Sequence, residues 1–347
     1  MTLLIQPRRN WLIQRIILVF ALFAIAGTVI GQNLPAISLF ESDSLVHIRM
    51  TTDMKLLVKK KQKEEYQPAR IEIVSAAGDT AAYDIKIKSR GETRKKVCTL
   101  PPIKVKFSKK DFSSNKLKWV LPCSNNDGDD QSVLKEYMAY QLYQILSDNG
   151  FKTELIRVEY IDTGRDGKSF VRYGFVIEDV ESVADRIGGR EYSPKYLNTN
   201  VLDEDQLALF NMFQYMIANT DWAIQNRHNL KAFTDPTTKS VLIIPYDFDY
   251  AGFVDTHYAV VHESLPMEDV RERYNKGYCI SEEMCKKYTS LFISKKEEIL
   301  EMCRDFAYFN NKTRKSTDFY LKQFFEDIEN DKKAGTIFCK NCKIMTD

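Results

Sequence analysis

The sequence predicts an α+β fold in two lobes, a β-rich first half followed by a mainly helical second half. Two observations carry this. Between Asp43 and about Lys109 the runs LVHIRM, ARIEIVSA, YDIKIKSRG and PIKVKFSK alternate apolar and polar residues, the period of half-buried antiparallel strands. Beyond Asp203, the runs DEDQLALFNMFQYMIAN, SKKEEILEMCRDFAYF and STDFYLKQFFEDIEN repeat their apolar residues at helical spacing. A length of 347 residues is enough for one large domain or two medium ones with a sizeable core. The expected organisation is a leader over 1–31, a β-rich lobe with one helix over 32–180, and a helical lobe over 181–347.

Taken in order, MKLLVKK also reads as strand-like, and KWVLPC adds a further strand. The acidic SNNDGDDQ is read as a turn, because it lacks the ordered ligand spacing of a calcium loop. VLKEYMAYQLYQILSDNG is a helix closed by Asn-Gly. ELIRVEYID and SFVRYGFVIED flank the turn residues TGRDGK as a hairpin, and VESVADRIGGREYSPKYL follows as a connector. The stretch 262–278 is read as part of the helical half. The cleft between two such lobes is a common place for a small ligand.

Composition narrows the compartment and the partners. Arg8, Arg9 and Arg15 precede or open the uncharged apolar run 16–30, the pattern of a secretory signal removed before Gln32. Fifteen residues fall short of the ~20 that span a bilayer; including WLIQ lengthens the run, so an uncleaved membrane anchor is the competing reading. Export implies a periplasmic or secreted protein with no membrane span after cleavage. Removing those three arginines takes the formal charge from +2 to −1, which argues against bulk binding to nucleic acid or anionic membrane. Seven cysteines suit an oxidising compartment, with Cys98–Cys123, Cys279–Cys285 and Cys303 with Cys339 or Cys342 as possible disulfides. A zinc site is disfavoured, since the chain has one CxxC and four scattered histidines.

The segment NTDWAIQNRHNLKAFTDPTTKSVLIIPYDFDYAG, residues 219–252, concentrates four aspartates and three asparagines on one hairpin. Asp221 falls on a loop, Asn229 at a strand start and Asp247 directly after the paired strand VLIIPY, so that all three can face one space. An acid closing so apolar a strand must find a partner or stay exposed. Phosphoryl transfer from ATP uses such a set: oxygen ligands for Mg²⁺ and a separate carboxylate that orients the attacking hydroxyl. Asp221 and Asn226 have the five-residue spacing of a protein-kinase catalytic loop, whereas Asn229 directly precedes the strand.

NTDW, HNLKAF and IPYDFDYAG resemble the CotH family of atypical, secreted protein kinases, and SRGETRKKVCTLPPIKVKF and YGFVIED resemble further parts of one branch of it. The resemblance implies a bilobal, protein-kinase-like fold, ATP with Mg²⁺ or Mn²⁺, and phosphorylation of a protein Ser/Thr hydroxyl. It makes Asp221 the catalytic base and Asp247 with Asn229 or Asn226 the metal ligands. Lys106 or Lys104 becomes the phosphate lysine, Arg90 and Arg94 further phosphate contacts, Glu136 the partner of the lysine, and Glu178 a neighbour of the nucleotide. The chain departs from the kinase pattern in having SRGETR where a glycine-rich loop belongs, and no glycine after Asp247-Phe248. Two other classes compete: a non-catalytic, kinase-shaped binding module in a surface assembly, and a hydrolase using Asp247 and Asp249 as a carboxylate pair.

Overall fold

Seven strands, several with period-two burial, organise the first half. The computed structural model describes residues 40, 45–74, 80–107, 117–237 and 239–344, all within the unit Leu39–Asp347. The leader expected over 1–31 lies outside the described residues. Strands β1 (Val46–Thr52), β2 (Gln67–Val74), β3 (Thr80–Ser89), β4 (Ile103–Lys106), β5 (Lys118–Val120), β6 (Thr153–Asp162) and β7 (Lys168–Ile177) close into a barrel in the order β1-β2-β3-β4-β5-β7-β6. Neighbours are antiparallel except β1 and β6, which run parallel from Val46↔Ile156 to Thr52↔Asp162 and complete the ring. Ile48 and Met50, Ile71 and Ile73, Ile85 and Ile87, and Ile156 and Val158 are buried two apart along their strands. Closure satisfies the edges that an open sheet would leave exposed.

This closed, seven-stranded mixed barrel with helices corrects the bilobal, protein-kinase-like fold that the motifs implied. The reason is physical. Alternation marks where strands lie, but the β1–β6 pairing that closes the ring joins segments about a hundred residues apart and has no local signature.

Helix α1 (Met54–Lys59) replaces the strand expected for MKLLVKK. Asp53 caps it by accepting from the Leu56 amide at 2.7 Å, and Met54 and Leu57 are buried one turn apart. A short helix α2 (Thr93–Val97) follows the SRGE turn. The long helix α3 (Asp127–Leu146) begins inside the acidic stretch, because Asn126 caps it from the Asp129 amide and three aspartates favour its positive end. Helices α4 (Val180–Arg186) and α5 (Glu204–Met216) lead to a second sheet, ordered β10-β9-β8, of β8 (Arg190–Glu191), β9 (Leu230–Thr234) and β10 (Val241–Pro245). The C-terminal part comprises α6 (Glu282–Ser294), α7 (Lys296–Asp305), α8 (Asn311–Ile328) and α9 (Asp331–Gly335). Residues 262–278 form turns and extended chain rather than the expected helix. Pro266 and Gly277 interrupt it, and at Gly277 a Cβ would meet Asn211 side-chain atoms at 2.5 Å.

Two disulfides brace the fold. Cys98–Cys123 joins the end of α2 to the segment after β5, one of the expected pairings. Cys279 bonds Cys342 rather than Cys285, which leaves Cys285, Cys303 and Cys339 as thiols. Among the described residues, no helix is long and apolar enough to cross a membrane.

Candidate functional site

The site is assembled where α3 crosses between the barrel and the hairpin β9–β10. Tyr137 and Tyr140 of α3 pack on Phe175 of β7, and Tyr140 also lies 4.6 Å from the ring of Phe248. The buried Tyr140 hydroxyl accepts a 2.9 Å hydrogen bond from the Asp247 amide. That bond anchors the backbone just as it leaves β10 with Asp247 in the left-handed region, at φ +63°. The register Pro245↔Leu230 and the bond from the Tyr246 amide to the Asn229 carbonyl, at 3.1 Å, set Asn229 beside Asp247. Asn229 is also left-handed, at φ +50°. Asparagine and aspartate are the non-glycine residues that enter this region most readily, so both positions suit their side chains.

A pocket of about 220 Å³ opens here. Asp221, Asn229, Asp247 and Asp249 face it from the hairpin side, and Arg90, Arg94 and Lys118 from the barrel side. The Asn229 amide nitrogen donates to the Asp221 carboxylate at 2.9 Å and to the Asp221 backbone carbonyl at 2.8 Å, so its amide oxygen is left for another partner. The other Asp221 oxygen lies 3.0 Å from His228 Nε2. Asp249 accepts from the Tyr258 hydroxyl at 3.0 Å.

Charges in the pocket are strongly coupled. Burial alone raises the Asp247 carboxyl, but Lys118, Arg90 and Arg94 outweigh it and hold its pKa below the usual range. Lys118 Nζ lies 3.4 Å from Asp247 Oδ2 and 4.0 Å from the centre of the Tyr246 ring. Burial and then the Asp247 charge push Asp249 up to about 6. Glu136, one turn before Tyr140 on α3, is raised furthest in this group, to about 8, by burial and then by Asp249 and Asp247. Glu136 is 3% exposed, and its Oε1 has no hydrogen-bond partner among the described residues. An acid held neutral in this way gives a pH test. Its folded pKa lies above the unfolded value, so its contribution to stability is complete at low pH and is lost as pH rises through about 8. In metal-free buffer, Glu136→Gln should melt with the wild type near pH 5 and several degrees above it near pH 9. Equal melting temperatures at both pH values would mean that Glu136 is ionised and paired.

The structure separates the sequence candidates. Asp221, Asn229, Asp247, Arg90 and Arg94 line the pocket together. Asn226 does not; it sits in the loop and accepts from the His228 amide at 3.2 Å. Lys104 and Lys106 do not line the pocket, Lys106 being exposed and 5.9 Å from the Tyr66 ring. The pocket's lysine is instead Lys118, directly opposite Lys104 on the neighbouring strand. Lys118 opens the strand KWV, half-buried ahead of the fully buried Trp119 and Val120, and three residues are too few to show a period. Glu178 is engaged elsewhere, paired with Arg186 at 2.8 Å and accepting from the Lys152 amide at 3.0 Å. Sequence reasoning misses Lys118 and reads His228 as a plain loop side chain; only tertiary packing brings Lys118 to the pocket.

The donor set suits a hard cation that keeps part of its shell for phosphate, since Mg²⁺ takes few protein ligands and prefers oxygen. The orphaned Glu136 oxygen behind the pocket supports that fit. Elsewhere, Cys123, Asp129 and His257 bring three ligand atoms within 4.8 Å of one another. Cys123 is bonded to Cys98, however, and offers no thiolate.

Compared with known proteins, the sequence matches no family model, and no curated protein matches it.

Proposed function

We propose that the chain is an ATP- and metal-dependent phosphotransferase of the CotH-like type its motifs resemble, moving the γ-phosphate to a hydroxyl, in the first place a protein Ser/Thr hydroxyl. One observation carries the reading: a single pocket sets Asp221, Asn229 and Asp247 against Arg90, Arg94 and Lys118. Such a pocket presents acids to a metal and to a hydroxyl proton, and cations to phosphate oxygens. Asn229 and Asp247 would hold Mg²⁺ or Mn²⁺, which when bound neutralises phosphate charge. Asp221 accepts the proton of the acceptor hydroxyl as its oxygen bonds to phosphorus and ADP departs. The His228 contact orients the Asp221 carboxylate. Lys118, which faces Asp247 at 3.4 Å, would with Arg90 and Arg94 supply the positive charge that binds the phosphates.

The test is ATP titration of the purified chain with and without Mg²⁺. Binding should require the metal, and Lys118→Ala should weaken it by about 10–100-fold, as the loss of a charged contact to phosphate does. Lys106→Ala, outside the pocket, should change it less than about twofold. Metal-independent binding, or equal losses in both variants, would remove the basis of the proposal. Metal-dependent binding without transfer to any protein would favour a nucleotide-binding module in a surface assembly.

We further propose that the protein works outside the cytoplasm. The Cys98–Cys123 and Cys279–Cys342 bonds support an oxidising compartment. Mass spectrometry of the exported protein should find Gln32 as its first residue; a membrane-retained form that keeps Met1 would count against cleavage.

A further inference from the structure

Far along the chain from the pocket, two thiols line one cavity. Cys285 is buried in the first turn of α6, and Cys339 is partly exposed in the turn Thr336–Lys340. That cavity is about 300 Å³, and the Cys339 thiol there donates to the carbonyl of Ser281, the N-cap of α6, at 3.9 Å. The backbone holds the two segments together: the Ile280 amide donates to the Phe338 carbonyl at 3.2 Å and the Cys279 amide to the Lys343 carbonyl at 2.8 Å. The Cys279–Cys342 disulfide joins the same two segments, so a Cys285–Cys339 bond would nest inside it.

We propose that Cys285 and Cys339 form a reversible dithiol–disulfide pair, a covalent modification site that closes on exposure to a small-molecule disulfide. The two thiols differ in access, which orders the steps. Cys339 is the reachable sulfur, partly exposed at the cavity wall, whereas Cys285 is buried. Burial and then the Cys339 neighbour push the Cys285 thiol up to about 12, so it waits protonated. The Cys339 thiolate attacks the small disulfide, whose S–S bond breaks and releases one thiol. Cys285 then gives its proton to solvent and attacks the Cys339 sulfur, releasing the second thiol. Two protein thiols are oxidised and one small disulfide is reduced to two thiols. Cys303 takes no part: it is fully buried on α7 and does not line the cavity.

Thiol counting on the intact chain tests this. The purified protein is exposed to oxidised glutathione, unfolded, and alkylated without reduction. Alkylated cysteines should fall from three to one, and peptide mapping should find Cys285–Cys339 beside an intact Cys279–Cys342 bond. A chain already showing one thiol as isolated has closed the pair. Cys303→Ser should still lose two thiols. Cys339→Ser, a near-isosteric change, should form no internal bond. Three thiols persisting after oxidation, a glutathione adduct that never resolves, or a bond involving Cys303 would overturn the proposal.

Discussion

Asp221→Ala is expected to slow phosphoryl transfer by about 10²–10⁴-fold, roughly 3–5.5 kcal/mol of transition-state stabilisation, while nucleotide affinity changes only a few-fold. The separation follows from the geometry. Asn229 donates to the Asp221 backbone carbonyl at 2.8 Å as well as to the carboxylate, and the alanine variant keeps the carbonyl bond. The proposed metal ligand therefore stays oriented when the proposed base is gone. A group that acts on the hydroxyl proton contributes in the transition state rather than in the bound ground state, so kcat falls and KM holds. Asn229→Ala should behave in the opposite way, weakening metal and nucleotide binding together. Transfer at the wild-type rate by Asp221→Ala would reduce that residue to a turn former.

Asp247→Asn should abolish measurable Mg²⁺-dependent ATP binding, a loss greater than the ~10–100-fold typical of groups behind the ligands. The substitution leaves the backbone comfortable, because asparagine tolerates the left-handed conformation that Asp247 adopts at φ +63°. It removes the charge that Lys118 faces at 3.4 Å and that a cation would use. Calorimetric titration together with a melting curve separates lost binding from lost folding. Asp249→Asn should cost less, since Asp249 is already held by the Tyr258 hydroxyl and raised to about 6. Equal losses at Asp247 and Asp249 would instead favour a paired-carboxylate mechanism.

Local patterns were legible wherever the interaction that decides them is local. Period-two alternation located β1 to β4, β6 and β7, and helical spacing located α3, α5 and α8. The convergence of Asp221, Asn229 and Asp247 on one pocket could be read because a hairpin with the register Pro245↔Leu230 leaves those positions few other places to go. MKLLVKK misled because so short a run, with four apolar residues, fits either period, and the Asp53 cap that decides for helix is a single side chain.

The sequence by itself thus determined most of the strand and helix segments and the acid-rich hairpin, and offered Cys98–Cys123 among its possible links, all from spacing along nearby chain. Only the tertiary structure decided that the strands close into a barrel, that Lys118 rather than Lys104 or Lys106 meets Asp247, and that Cys279 bonds Cys342. The reason is the same in each case. A strand's alternation says which side chains face out but not which distant segment they will meet. That choice is made by the packing of α3 between barrel and hairpin and by the pairing of β1 with β6.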